Sequence, residues 1–296
     1  MFQFFANIFG YLLNIINNFV GNYGLAIILF TIIIKLVMLP LSMKQQRTMK
    51  KSAKLQEEMK VLQFKYKNDP EKLNREMMDL YKKENMSPFS GCLSAIVQFI
   101  LLISIFYMVR YPLTYMEKID KSQLDTYVQQ MKDDGMVVSQ AYSEIDVVRE
   151  LDYLKEKFPE DETLNKINLN MQFFGLDLGK IPQQNLGDWT VYIIPVLYII
   201  STFISMRITT SMQSKTKKKD DIVDITENDE NAENKENQRN EMEDAMAQSN
   251  KMMSWMMPIM SVSISLVAPL GLALYWLVNN ILMISERLVL DKFIKE

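Results

Sequence analysis

Long apolar blocks separated by densely charged segments constrain this chain more than any other feature. Apolar runs near 24–41, 92–109, 190–206 and 252–285 alternate with loops rich in Lys, Asp and Glu. A stretch of about 17–25 mostly apolar residues is long enough to cross the hydrocarbon core of a bilayer as a helix. The mean hydropathy is near zero only because the loops offset the blocks. The expected fold class is all-α: a polytopic membrane protein with five transmembrane helices, an N-terminal interfacial helix and a cytoplasmic helical hairpin.

Five spans follow from four blocks because the last is too long. As one helix, 252–285 would reach roughly 50 Å at 1.5 Å per residue, against a core of about 30 Å. Pro269-Leu270-Gly271 is the natural break, leaving two short spans that favour local thinning of the bilayer. The spans are expected at 22–42, 91–110, 189–208, 252–269 and 270–287. Pro195 is expected to bend the third.

The segments between them differ in charge. Residues 43–88 carry Lys44, Arg47, Lys50, Lys51, Lys54, Lys60, Lys65, Lys67, Lys72, Arg75, Lys82 and Lys83, which places them in the cytoplasm. Two apolar stripes, Ala53-Leu55-Met59-Leu62-Tyr66 and Leu73-Met77-Leu80-Tyr81, flank a break at 68–71. Asp69 suits a helix cap there and Pro70 a first helical position. This hairpin is either a self-packed arm or a docking arm for cytoplasmic partners.

Residues 111–188 hold fifteen Asp/Glu against eight Lys/Arg within 112–188 and are expected outside as a small acidic helical region. Residues 209–250 have the composition of a disordered cytoplasmic loop, and 288–296 form a cytoplasmic tail. The protein is thus expected in the cell membrane, N-terminus outside and C-terminus cytoplasmic.

Residues 1–21 read as an amphipathic interfacial helix, with Phe2, Phe5, Phe9, Leu12, Leu13 and Ile16 on one stripe and Gln3, Asn7, Asn14 and Asn18 on another. The alternative is a short extra span. The N-terminus has no basic n-region or small-residue cleavage site, so a cleaved signal peptide is not expected.

Chemistry is scarce. There is no histidine, and Cys92 stands alone. No Ser/His or Cys/His set, metal-ligand spacing or glycine-rich phosphate loop occurs. We therefore expect no enzyme, no cofactor, no metal and no direct nucleic-acid site.

The informative residue is Lys35, inside the first apolar run. An ammonium near mid-span costs about 2.5–3.5 kcal/mol on insertion scales, which marks it as functional. No Asp or Glu lies inside any other apolar segment, so Lys35 is expected to lack an internal counter-ion. The competing reading is snorkelling of its stem to the headgroups. Gln98, Thr202, Ser205 and Asn279 are the polar side chains that would line a wet groove with it. Methionines 252, 253, 256, 257 and 260 would suit a surface that accepts many apolar partners, or ordinary gap-filling.

The order and spacing of several motifs resemble the YidC membrane-protein insertases of bacteria and their mitochondrial and chloroplast relatives. These are Asn22-Tyr23-Gly24-Leu25-Ala26-Ile27-Ile28-Leu29 with Lys35-Leu36-Val37-Met38-Leu39-Pro40-Leu41, then Asn85-Met86-Ser87-Pro88, Gly91-Cys92 and Gln98. Met257-Pro258-Ile259-Met260 and 271–280, Gly-Leu-Ala-Leu-Tyr-Trp-Leu-Val-Asn-Asn, complete them.

The resemblance implies a groove open to the cytoplasm and to lipid, whose basic residue draws in the polar part of a nascent span. Lys35 takes that position, where the family usually has arginine; lysine keeps the charge but not the planar fork. Ser205 matches a position often held by glutamine, and Tyr275 and Trp276 stand beside the groove. Partners so implied are nascent membrane proteins and the bilayer, with the ribosome, targeting factors and a larger translocation channel. The alternative is a small transporter or channel for an anionic substrate; a scaffold acting through the 43–88 arm is a third reading.

Overall fold

The computed structural model describes residues 2–66, 69–84, 90–217, 259 and 262–293. Most of them are helical. In chain order the helices are α1 (Phe2–Val20), α2 (Tyr23–Lys65), α3 (Pro70–Lys83), α4 (Ser90–Arg110), α5 (Pro112–Tyr115), α6 (Lys121–Asp133), α7 (Ser143–Arg149), α8 (Leu151–Lys157), α9 (Glu162–Lys166), α10 (Ile193–Lys217) and α11 (Leu270–Phe293). Two short strands, β1 (Gln172–Phe173) and β2 (Leu176–Asp177), pair antiparallel.

Among the described residues, three helical segments are long and apolar enough to cross a membrane: Tyr23–Thr48, Trp189–Ile208 and Leu270–Leu290. Phe99–Arg110 is a shorter apolar helix at the end of α4. Residues 262–267 are helical, the chain breaks at 268–269, and α11 begins at Leu270. Most of the expected fourth span, with its methionine cluster, lies outside the described residues, as does the expected disordered loop beyond Lys217. Pro195 sits in the first turn of α10, where a missing N–H breaks no helical bond, so the expected bend has no cause there.

The chain divides into two compact units. One comprises residues 1–38, 96–201 and 263–286. Its core runs from Ala6, Phe9 and Leu13 of α1 through Tyr23, Ile27 and Phe30 of α2 to Ile145, Leu154 and Leu164 of the 111–188 region. Leu272, Leu274 and Tyr275 of α11 belong to the same core. The 111–188 region is not purely helical as expected, since the β1–β2 hairpin interrupts it.

Helix α1 is fastened by two residues of its polar stripe, Asn7 and Asn14, and by Asn17, which the stripe did not include. Asn14 donates to the Met116 carbonyl at 2.9 Å, Asn17 to that of Asn168 at 2.8 Å, and Lys118 donates to Asn7 at 2.7 Å. Phe9, Leu13 and Ile16 are buried in the protein, whereas Phe4, Ile8, Tyr11, Ile15 and Phe19 form a separate exposed apolar stripe. The exposed apolar stripe is thus not the one the residue spacing picked out, because the 111–188 region packs against that one.

The other unit comprises residues 39–95, 202–262 and 287–296. Helix α2 continues without a break past the expected span end at residue 42, with Pro40 inside it. The break before α3 falls where the sequence places it: the Asp69 carboxylate accepts from the Lys72 N–H at 3.0 Å and Pro70 occupies the first turn. Leu55, Leu80 and Leu290 are buried in this unit.

Candidate functional site

The starts of α2 and α11 are set by the same stretch of the 111–188 region. The Tyr23 N–H donates to the Asn170 carbonyl at 3.0 Å, and the Gly271 N–H to that of Leu178 at 2.9 Å. A methyl group at Gly271 would lie 3.3 Å from the Tyr23 ring and 3.6 Å from Ile27, so glycine lets the two helix heads meet. Lys35 lies twelve residues beyond Tyr23 and Glu286 fifteen beyond Gly271, depths of roughly 18 and 22 Å by helical rise. A lysine stem covers the difference.

The structure accordingly places Lys35 Nζ 3.7 Å from Glu286 Oε2, with the side chains 21% and 13% exposed. This corrects the expectation that Lys35 lacks an internal counter-ion. The sequence reading ended the last apolar block at Ser285, one residue short, and so set aside the carboxylate that helical register carries to the lysine. The separation is an ion-pair contact but exceeds hydrogen-bond distance. The other carboxylate oxygen, Glu286 Oε1, is buried and accepts no hydrogen bond among the described residues. A buried acceptor in that condition is uncommon.

Farther up α11, Asn280 donates to Ser201 Oγ at 2.9 Å, and Ser201 donates to the Tyr198 carbonyl at 2.7 Å. The Tyr198 ring lies 5.9 Å from that of Trp276, tilted by 33°. Asn279, named from the sequence, is half-buried; its buried neighbour Asn280 and Ser201 were not named there. Only the rotation of α11 separates the two asparagines. Tyr275 is buried and Trp276 half-buried. Ser205, buried, and Thr202, half-buried, belong to the second unit. Gln98 lies on α4, its side chain outside the described residues.

This is the fold of a polytopic membrane protein, with an ion pair on two of its candidate spans. Its family follows from comparison. The model of the family described as 60Kd inner membrane protein matches residues 15–296, and the chain belongs to that family, the YidC family of membrane proteins. Similar relatives include the proteins named membrane protein insertase YidC of Francisella tularensis subsp. novicida (strain U112) and of Francisella tularensis subsp. tularensis (strain SCHU S4 / Schu 4). Each is 45% identical over 109 residues, which is 37% of this chain and 20% of the relative. The matched stretch thus spans a fifth of the length of those relatives.

Proposed function

We propose that the protein is an insertase that moves nascent transmembrane segments from the cytoplasm into the bilayer, with Lys35 as the groove charge. The observation that carries this reading is a lysine inside an apolar span, held in a loose and partly exposed pair. The insertase names of its relatives agree with it.

The resident carboxylate alters the expected mechanism. An acidic group on a client does not meet a bare ammonium; it exchanges with Glu286. A pair at 3.7 Å, with one carboxylate oxygen accepting no hydrogen bond among the described residues, has less to lose on exchange than a fully bonded one. The client's apolar segment then moves sideways into lipid, and its removal from water drives the step.

On this reading the chain has five spans, its N-terminus outside and C-terminus cytoplasmic. Gln98, Thr202, Ser205, Tyr275, Trp276 and Asn279 line the groove beside Lys35. The helices flanking Asp69 form a cytoplasmic arm that meets the ribosome, targeting factors or a larger translocation channel.

The test is reconstitution of purified protein in liposomes, scoring protease-protected tails of single-span clients with acidic external segments. Lys35→Arg retains insertion, while Lys35→Ala and Lys35→Glu lower it by roughly 5–30-fold, the equivalent of 1–2 kcal/mol. Equal insertion by all four forms would refute the groove charge. Loss only on deletion of 44–86 would favour a scaffold.

A further inference from the structure

The external β1–β2 hairpin presents an exposed aromatic tip at the head of the membrane spans. Phe173 pairs with Leu176, so Phe174-Gly175 is a two-residue loop. Both residues have positive φ, 49° and 80°, as a type I′ hairpin turn requires; Asn-Gly or Asp-Gly is the usual pair there. A phenylalanine in left-handed backbone is disfavoured sterically, and this one is also 88% exposed. Neither turn formation nor core packing accounts for it, and strained outliers of this kind point to function.

The hairpin's location supplies the function. The Asn22 side chain donates to the Gln172 carbonyl at 2.7 Å. The ring of Phe173 lies so close to Gly24 that a Cβ there would be 2.3 Å from it, which sets β1 against the first turn of the Tyr23–Thr48 span. Just after β2, Leu178 and Lys180 accept the N–H groups of Gly271 and Leu270, the first residues of the Leu270–Leu290 span. The hairpin is therefore bonded to the outer heads of two candidate spans. Phe174 stands edge-on to Phe173, ring centroids 4.7 Å apart. Trp189, 74% exposed, begins the third candidate span. Aromatic side chains at span ends are characteristic of the membrane–water interface.

We propose that the hairpin is a lipid anchor, with Phe174 seated at the headgroup–acyl boundary of the outer leaflet. The proposal rests on the membrane-spanning reading of the three helices and not on insertase activity. Anchored there, the hairpin holds the heads of α2 and α11 at a fixed depth.

Single nitroxide labels in the reconstituted full chain test this, with Cys92→Ser as background. Phe174→Cys is compared with Val137→Cys, 98% exposed in the same external region, and with Leu36→Cys, 63% exposed within the first span. Collision rates are measured with oxygen, which concentrates in lipid, and with a water-soluble nickel chelate. The oxygen-to-nickel ratio at 174 is expected to be several-fold above that at 137 and below that at 36, which lies deeper in its span. A ratio at 174 equal to that at 137, or protection of 174 from both reagents, overturns the anchor while leaving the spans intact. A water-like ratio at 36 overturns the spanning reading and the anchor with it.

Discussion

Lys35 is the residue on which chemistry and fold meet. Its cost in an apolar span was evident from its neighbours in sequence, and so was its candidacy as a functional cation. Its partner was not, because Glu286 lies outside the apolar block and 251 residues away along the chain, as 286 minus 35 gives. Removing one member of a partly buried pair strands the other. Lys35→Glu and Glu286→Lys should therefore each lower thermal stability in detergent, and the double swap should restore part of it. The expected coupling is about 1–2 kcal/mol, within the range for contacting residues, and additive losses in the double variant would show that the pair does not form. Glu286→Gln removes the resident competitor, so insertion of acidic clients should hold or rise where Lys35→Ala lowers it.

Among the elements, α1 shows how far periodicity goes. Its helical spacing was legible, as were its two kinds of stripe. Which stripe meets protein was not, since apolar burial against a neighbour and against lipid leave the same sequence signature. The contact that decides it is backbone-tight: a Cβ at Gly10 would lie 2.3 Å from the Tyr115 carbonyl oxygen, on helix α5. A main-chain atom yields less readily than the end of a side chain. Gly10→Ala should therefore destabilise the packing of α1 by about 1–3 kcal/mol, as overpacking does. Earlier proteolytic release of residues 2–20 would report it, whereas unchanged protection would show that the helix shifts freely. The α2–α3 break belongs to the legible class, because the Asp69 cap and Pro70 act within one turn.

For the molecule as a whole, the acidic 111–188 region links fold to pH. Hydrogen bonds from Tyr153, Gln130 and Lys157 lower the Asp134 carboxyl from its ordinary 3.8 to about 2. Lys180 and Thr190 do the same for Asp188, also to about 2. Groups with lowered values contribute stability above the unfolded value that is lost as pH falls through the folded one. Glu144 has the opposite sign: burial raises its value, against hydrogen bonds from Thr114, so acid does not penalise it in the same way. The region should lose stability between about pH 4 and pH 2, and Asp134→Asn or Asp188→Asn should flatten that loss in near-UV circular dichroism. Unaltered acid profiles in both variants would assign the loss to other groups.

The membrane class, the first and third spans, the helix break at Asp69 and the candidacy of Lys35 could all be read from residues adjacent along the chain, because hydropathy, capping and the cost of a buried charge are local quantities. The Lys35–Glu286 pair, the Asn280–Ser201 hydrogen bond and the covered face of α1 came only with the packed chain. Each depends on the depth and rotation of one helix against a distant segment, and no local property of the chain records that register.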